Sequence, residues 1–152
     1  MSVFAVRRLH YIDIDGVYCG SPARAVPGEC FWYGPSGIYR IAMRLHLAAM
    51  LPAGILACWQ FVPAVRQKFM AFHRINGYII LLLSAVGTLG AIVISRHAMG
   101  GTPVVQSGTI FISLLFLVSL AKAHVSVKRT QLDQHREWML RAWFYVRLAR
   151  LY

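Results

Sequence analysis

The polar and apolar positions of this chain separate into long blocks rather than alternating. Residues 45–65 carry no formal charge for 21 positions, and 75–95 repeat that length. A third apolar run covers about 104–121. At 1.5 Å per residue, 21 residues make a helix of roughly 31 Å, enough to cross the hydrocarbon core of a bilayer. The pattern predicts three transmembrane helices, at about 43–65, 77–95 and 104–121. Pro52 falls inside the first, which membrane helices tolerate. Pro63, Arg66 and Lys68 close it. In the second, Gly77, Ser84, Gly87, Thr88, Ala91 and Ser95 fall near one helical stripe. Small residues so placed let two helices approach closely, so this face is expected to meet another span. In the third, Ser107, Thr109, Ser113 and Ser119 are expected to bond to their own backbone or to a neighbour.

The two flanks differ from the apolar blocks. Residues 1–36 have Gly, Pro and Ser at turn-forming intervals and no sustained period, so they read as an irregular segment outside the membrane. Its aromatic residues Phe31, Trp32 and Tyr33, with Tyr39, suit either the headgroup level or packing on helix ends. At the other end, "DQHREWMLRAWFYVRLARLY" is amphipathic. Arg136, Glu137, Arg141, Arg147 and Arg150 occupy half of a helical wheel, with Trp138, Met139, Ala142, Tyr145, Val146 and Ala149 opposite. Two readings of this stretch stay open: a basic helix on the membrane surface, or the first turns of a truncated fourth span. The expected organisation is therefore residues 1–36 irregular, 37–130 a three-span bundle, and 131–152 this helix. The fold class is all-α, a polytopic transmembrane helix bundle.

Composition agrees with that picture and removes one alternative. Hydrophobic residues make up 58% of the chain and charged residues only 14%, against about half and a quarter in soluble domains. Sixteen Lys and Arg against five Asp and Glu give a net charge of +11. In a soluble protein that would suggest nucleic acid. Here no nucleic-acid motif accompanies the charge, and much of it flanks apolar runs, where it sets topology and attracts anionic headgroups. Arg66, Lys68, Arg74, Lys122, Lys128, Arg129 and Arg136 fall on one side of the three spans, and Arg40, Arg44 and Arg96 on the other. The positive-inside rule then places the C-terminus in the cytoplasm, with Arg7, Arg8 and Arg24 opposing. Cys19 and Cys30 can pair in an oxidising compartment, whereas Cys58 lies in an apolar run.

Five of six histidines border spans. Residues 73–97 begin with His-Arg and end with Arg-His, which marks two water interfaces or two ligand positions. Paired neutral imidazoles from neighbouring helices are the usual axial ligands of haem b in membrane bundles. His46 with His97, and His73 with His124, are the candidate pairs, with Arg44, Arg74 and Arg96 near the propionates. That layout resembles two-haem transmembrane cytochromes such as the cytochrome b561 family. The competing assignment makes these histidines interface and packing residues. A weaker third reading takes His135, Arg66, Arg74, Arg136 and Arg141 as a site for a lipophilic anion. Phosphate loops, HExxH, GxSxG and CxxCH are absent from the sequence, and no acidic residue lies inside a span. Asp133 reads as a helix cap before "QHREW".

Several positions carry a more specific likeness. His46, Gln60, Pro63, Arg66, His73, Arg74 and Gly77, then His135, Arg136, Trp138, Met139 and Arg141, stand as "HR..GY" and "HREWMLR" with their surroundings. Over about residues 43–143 the chain resembles the DUF2306 family of predicted multi-pass membrane proteins. The resemblance implies several spans and a membrane location, and no established activity. Such proteins carry a further helix before the first matched span and more after "HREWMLR", so the chain is expected to be a truncated gene product. Three helices bury little surface between them, so self-association or a partner subunit is expected as well.

Overall fold

A computed structural model describes residues 29–33, 37–98 and 101–148. Among them are six helices: α1 (Glu29–Tyr33), α2 (Ile38–Gln60), α3 (Pro63–Lys68), α4 (Met70–Ile94), α5 (Pro103–Lys128) and α6 (Leu132–Leu148). Arg7, Arg8, Cys19, Arg24 and Arg150 lie outside the described residues. The helices α2, α4 and α5 are long and apolar enough to cross a membrane, at 23, 25 and 26 residues. All three expected spans are present, each longer than its apolar core.

The ends of the spans show why. α2 begins at Ile38 rather than near 43, so Arg40 rides on its first turn rather than preceding it. It stops at Gln60 because Pro63 follows: Val62 is held extended (φ −78°, ψ 114°) and Pro63 opens α3 at its first turn, where its missing N–H costs nothing. α3 ends at Lys68 and Phe69 breaks the path before α4. The second span thus starts at Met70 rather than near 77, taking in His73 and Arg74. The segment expected to be irregular also contains α1, a single helical turn and a half.

The chain divides into two compact units, Met1–Gly100 and Gly101–Tyr152. In the first, α2 and α4 lie antiparallel. Three side-chain contacts mark one register: His46 with Gly87, Leu56 with Asn76, and Gln60 with His73. Buried alanines at 42, 49, 53 and 57 line α2, and Ile80, Ser84, Gly87, Thr88, Gly90 and Ile94 line α4. The small-residue stripe of α4 is therefore the face that meets α2. At Gly90 the approach is close enough that a Cβ would stand 2.9 Å from the Ala42 carbonyl oxygen and 3.2 Å from the His46 nitrogen. Only glycine fits there. α1 covers the end of this pair: Tyr33 is 1% exposed, and its hydroxyl donates to the Ile94 carbonyl at 3.0 Å. That carbonyl belongs to the last turn of α4, where it has no i+4 partner, and it also accepts the His97 N–H at 3.1 Å.

The second unit is a helical hairpin. Thr102 caps α5, its hydroxyl accepting from the Val105 N–H at 3.4 Å, and Pro103 follows at the first turn. At the far end the Gln131 N–H reaches the Ser126 carbonyl (2.9 Å) and the Thr130 N–H the Val127 carbonyl (3.2 Å). This is the Schellman pattern, with Thr130 in the left-handed position at φ 60°, where glycine is usual. The chain reverses in three residues and α6 packs back along α5. Ser119, Ala123 and Ser126 of α5 are buried, as is Ala142 of α6. Ser107 and Ser119 donate to the Val104 and Leu115 carbonyls of their own helix. Asp133 sits inside the first turn of α6 and pairs with Arg136 at 3.4 Å. It is a first-turn carboxylate near the helix N-terminus rather than the cap itself.

Candidate functional site: polar clasps between helices

The polar residues within or beside the apolar helices act on neighbouring backbones. His46 stands in the third turn of α2, and its Nδ1 lies 2.7 Å from the Gly87 carbonyl oxygen on α4. Glycine at 87 brings that carbonyl within reach. Asn76, 3% exposed, donates from Nδ2 to the Leu56 carbonyl at 3.0 Å. Gln60 at the end of α2 donates from Nε2 to the His73 carbonyl, also at 3.0 Å. α2 and α4 are thus tied near both ends of their contact. In the second unit His135 performs the same act, its Nδ1 2.9 Å from the Ala123 carbonyl of α5. Ala123 has no exposed surface, and its lack of a bulky side chain admits the imidazole. In an apolar medium such bonds matter because little else holds two helices together.

The remaining sequence-derived positions divide between the two units. His97 follows α4 and stacks on Trp32, with centroids 3.7 Å apart and planes at 12°. The Tyr39 ring meets it edge-on at 4.6 Å. The aromatic cluster therefore packs on helix ends, leaving Phe31 exposed. Tyr39 precedes His46 by two turns of α2, about 10 Å, so His46 and His97 stand at successive levels of one unit. His73, on α4, and His124, on α5, belong to different units and are both half-buried. Arg66 is half-buried on α3 and Arg74 exposed on α4. Arg141 pairs with Glu137 at 3.7 Å, and its guanidinium lies 4.3 Å from the centre of the Trp138 ring. The Lys122 ammonium approaches the same ring at 4.4 Å. One indole thus serves two cations, an arrangement worth about 0.5–2 kcal/mol per contact.

Cys30 is disulfide-bonded, and Cys58 is free. Among the described residues no three His, Cys, Asp or Glu side chains gather to hold a metal ion.

Sequence reasoning gave no role to Asn76, named Gln60 only as a position of the family likeness, and left Tyr33 between the headgroup level and packing on helix ends. Asn76 had a signal, being an amide near the start of an apolar run, where its polar atoms need partners. For Tyr33 the aromatic cluster was a signal, but its acceptor, 61 residues away, was not legible.

Antiparallel apolar helices bound by buried amide and imidazole contacts define an integral membrane protein of the polytopic all-α class. Residues 43–149 match the family described as predicted membrane protein, DUF2306. The chain belongs to that family. It is also similar to a protein of Aspergillus versicolor named Ava biosynthesis cluster protein G, 22% identical over 143 residues that cover 83% of this chain. The chain spans 41% of the length of that relative. No solved structure matches the chain.

Proposed function

We propose that this chain is a non-enzymatic component of a membrane, whose His-Arg motifs hold helix ends to one another and to the headgroup layer. One observation carries this reading: His135 of the His-Arg pair 135–136, and His46 within α2, each bind the backbone of a neighbouring helix through Nδ1, at 2.9 and 2.7 Å. Arg66, Arg74 and Arg136 supply the contact with anionic headgroups, and a second copy or a partner subunit covers part of the exposed apolar surface. The C-terminal side faces the cytoplasm in this reading. The charge distribution supports that, and the Cys30 disulfide suits an oxidising compartment on the other side. Similarity to a protein named for a biosynthesis cluster suggests a biosynthetic setting.

The test is purification of the wild type and of His46→Ala and His135→Ala in detergent. The proposal expects colourless protein with lowered thermal stability in both variants. Full stability in both would remove the clasp role.

A second reading, a haem b electron carrier using His46 with His97 and His73 with His124, has its own support. An imidazole whose Nδ1 faces a backbone carbonyl is oriented as metal-bound imidazoles are, with Nε2 directed at the ligand position. A reduced-minus-oxidised spectrum of haem-supplied protein decides it. A Soret and α-band pair lost in His73→Ala or His124→Ala establishes the carrier. A flat spectrum ends that reading.

A further inference from the structure

The hairpin decides where α6 runs. Its turn is three residues long, and two contacts fix the alignment beyond it: His135 on the Ala123 carbonyl and Lys122 over Trp138. With 135 level with 123, and both helices rising about 1.5 Å per residue, each step along α6 matches one step back along α5. Gln134 is then level with His124, at the end of the apolar run. Arg147 is level with Phe111, near the middle of the stretch 104–121. A helix lying on the membrane surface would turn away from α5 at its end, whereas α6 packs back along it.

The charges of α6 divide along its length. Arg136 is paired with Asp133 and Arg141 with Glu137, all four within the first ten residues of α6. Arg147 lies further in, exposed, and has no ion-pair partner among the described residues. A guanidinium keeps its charge at any depth. In hydrocarbon it persists only against an anion or a water-filled space. Leu140 and Phe144, spaced four and three residues along the same face, are 61% and 60% exposed. Arg141, level with Leu117, lies beside the same stretch but is paired with Glu137. Arg147 is therefore the cation there without an ion-pair partner among the described residues, extended by an apolar strip leading back toward the start of α6.

We propose that α6 enters the bilayer beside α5, and that Arg147 with Phe144 and Leu140 forms a binding site there for an apolar molecule with an oxyanion head. The guanidinium fork takes a carboxylate or phosphate through two parallel N–H···O bonds. The strip from Phe144 to Leu140 lies along the hydrocarbon part. The site itself uses none of the clasp residues, although the His135 contact sets the register that places it.

The test uses the full chain in lipid nanodiscs and has two readings. The first is depth, from nitroxide labels on Phe144→Cys and Gln134→Cys in a Cys58→Ser background, compared by oxygen and nickel-chelate accessibility. The proposal expects the label at 144 to be oxygen-exposed and chelate-shielded, and the label at 134 to read as interfacial. Equal, headgroup-level readings at both positions overturn it. The second is thermal stability with oleate, with oleyl alcohol as the uncharged control. Oleate should raise the midpoint by several degrees and the alcohol should not. Arg147→Gln should abolish the shift and Arg136→Gln should keep it. Arg147→Lys, which retains charge but loses the fork, should roughly halve it if the Gln variant does not insert. An oleate shift that survives in Arg147→Gln, or in full in Arg147→Lys, overturns the proposal. Repeating the measurement with phosphatidic acid in the disc separates the sources: a shift with oleate alone identifies a free amphiphile, and one with both admits a bilayer lipid.

Discussion

The α2–α4 pair and the α5–α6 hairpin use one device, an imidazole Nδ1 set on the backbone carbonyl of the facing helix, yet they are held in different ways. In α2–α4 the backbones themselves come close. Gly90 lies under the Ala42 carbonyl, alanines fill the facing row, and clasps at His46, Asn76 and Gln60 tie the pair along its length. In α5–α6 the small buried residues are mostly on α5, with Ala142 the one on α6 among the described residues. α6 answers with His135 and Trp138, and the Trp138 ring carries the cations of Lys122 and Arg141. The contrast reflects the medium. Two wholly apolar helices gain nothing from excluding water in lipid, so close van der Waals contact and buried polar bonds must suffice. A helix with negative mean hydropathy can add charge contacts at the water boundary.

The sharpest way to break this contrast is to separate the first pair. Gly90→Val forces a side chain against backbone at Ala42 and His46, and should cost about 2–3 kcal/mol, read as a lower thermal midpoint in detergent. An unchanged midpoint would mean that the helices do not approach there. His46→Ala should cost about 1–1.5 kcal/mol and His135→Ala about half that. The His46 bond lies within a span, whereas water can replace the one near the end of α5. Equal losses in the two thermal scans would remove that distinction. Thr130→Gly should stabilise the hairpin by about 1 kcal/mol, because a β-branched residue is strained at positive φ. The gain should appear as slower amide exchange at the end of α5. Gly108→Ala, with nothing within 4 Å of the added Cβ, should change stability by about 0.5 kcal/mol or less, in the favourable direction. It is the control for Gly90.

Much of the fold was legible in advance and parts of the site were not. The three spans and the small-residue face of α4 follow from composition and spacing, whereas the choice of Ser107 and Ser119 for their own helix was left open. The ends of the spans were misjudged where charged and polar residues stay helical, at Arg40 in α2 and at His73 and Arg74 in α4, and where Pro63 ends α2 at Gln60 rather than near 65. Hydropathy marks where a helix must be apolar, and a helix can run on past that point into water. The hairpin turn was hidden because Thr130 occupies a position that glycine usually announces. The direction of α6 was left open between surface and membrane because amphipathicity is the same in both.

Length, apolarity and the edge position of charge are local properties, so the sequence alone determined a membrane protein of three spans with polar ends. Pairing, register and the course of α6 came only from the tertiary structure. The physical reason lies in the clasps. His46, Asn76, Gln60, His135 and Tyr33 all bond to backbone carbonyls, a group that every residue carries. No complementary side chain stands in the sequence to mark the partner, and only the folded helices show which carbonyl comes within reach.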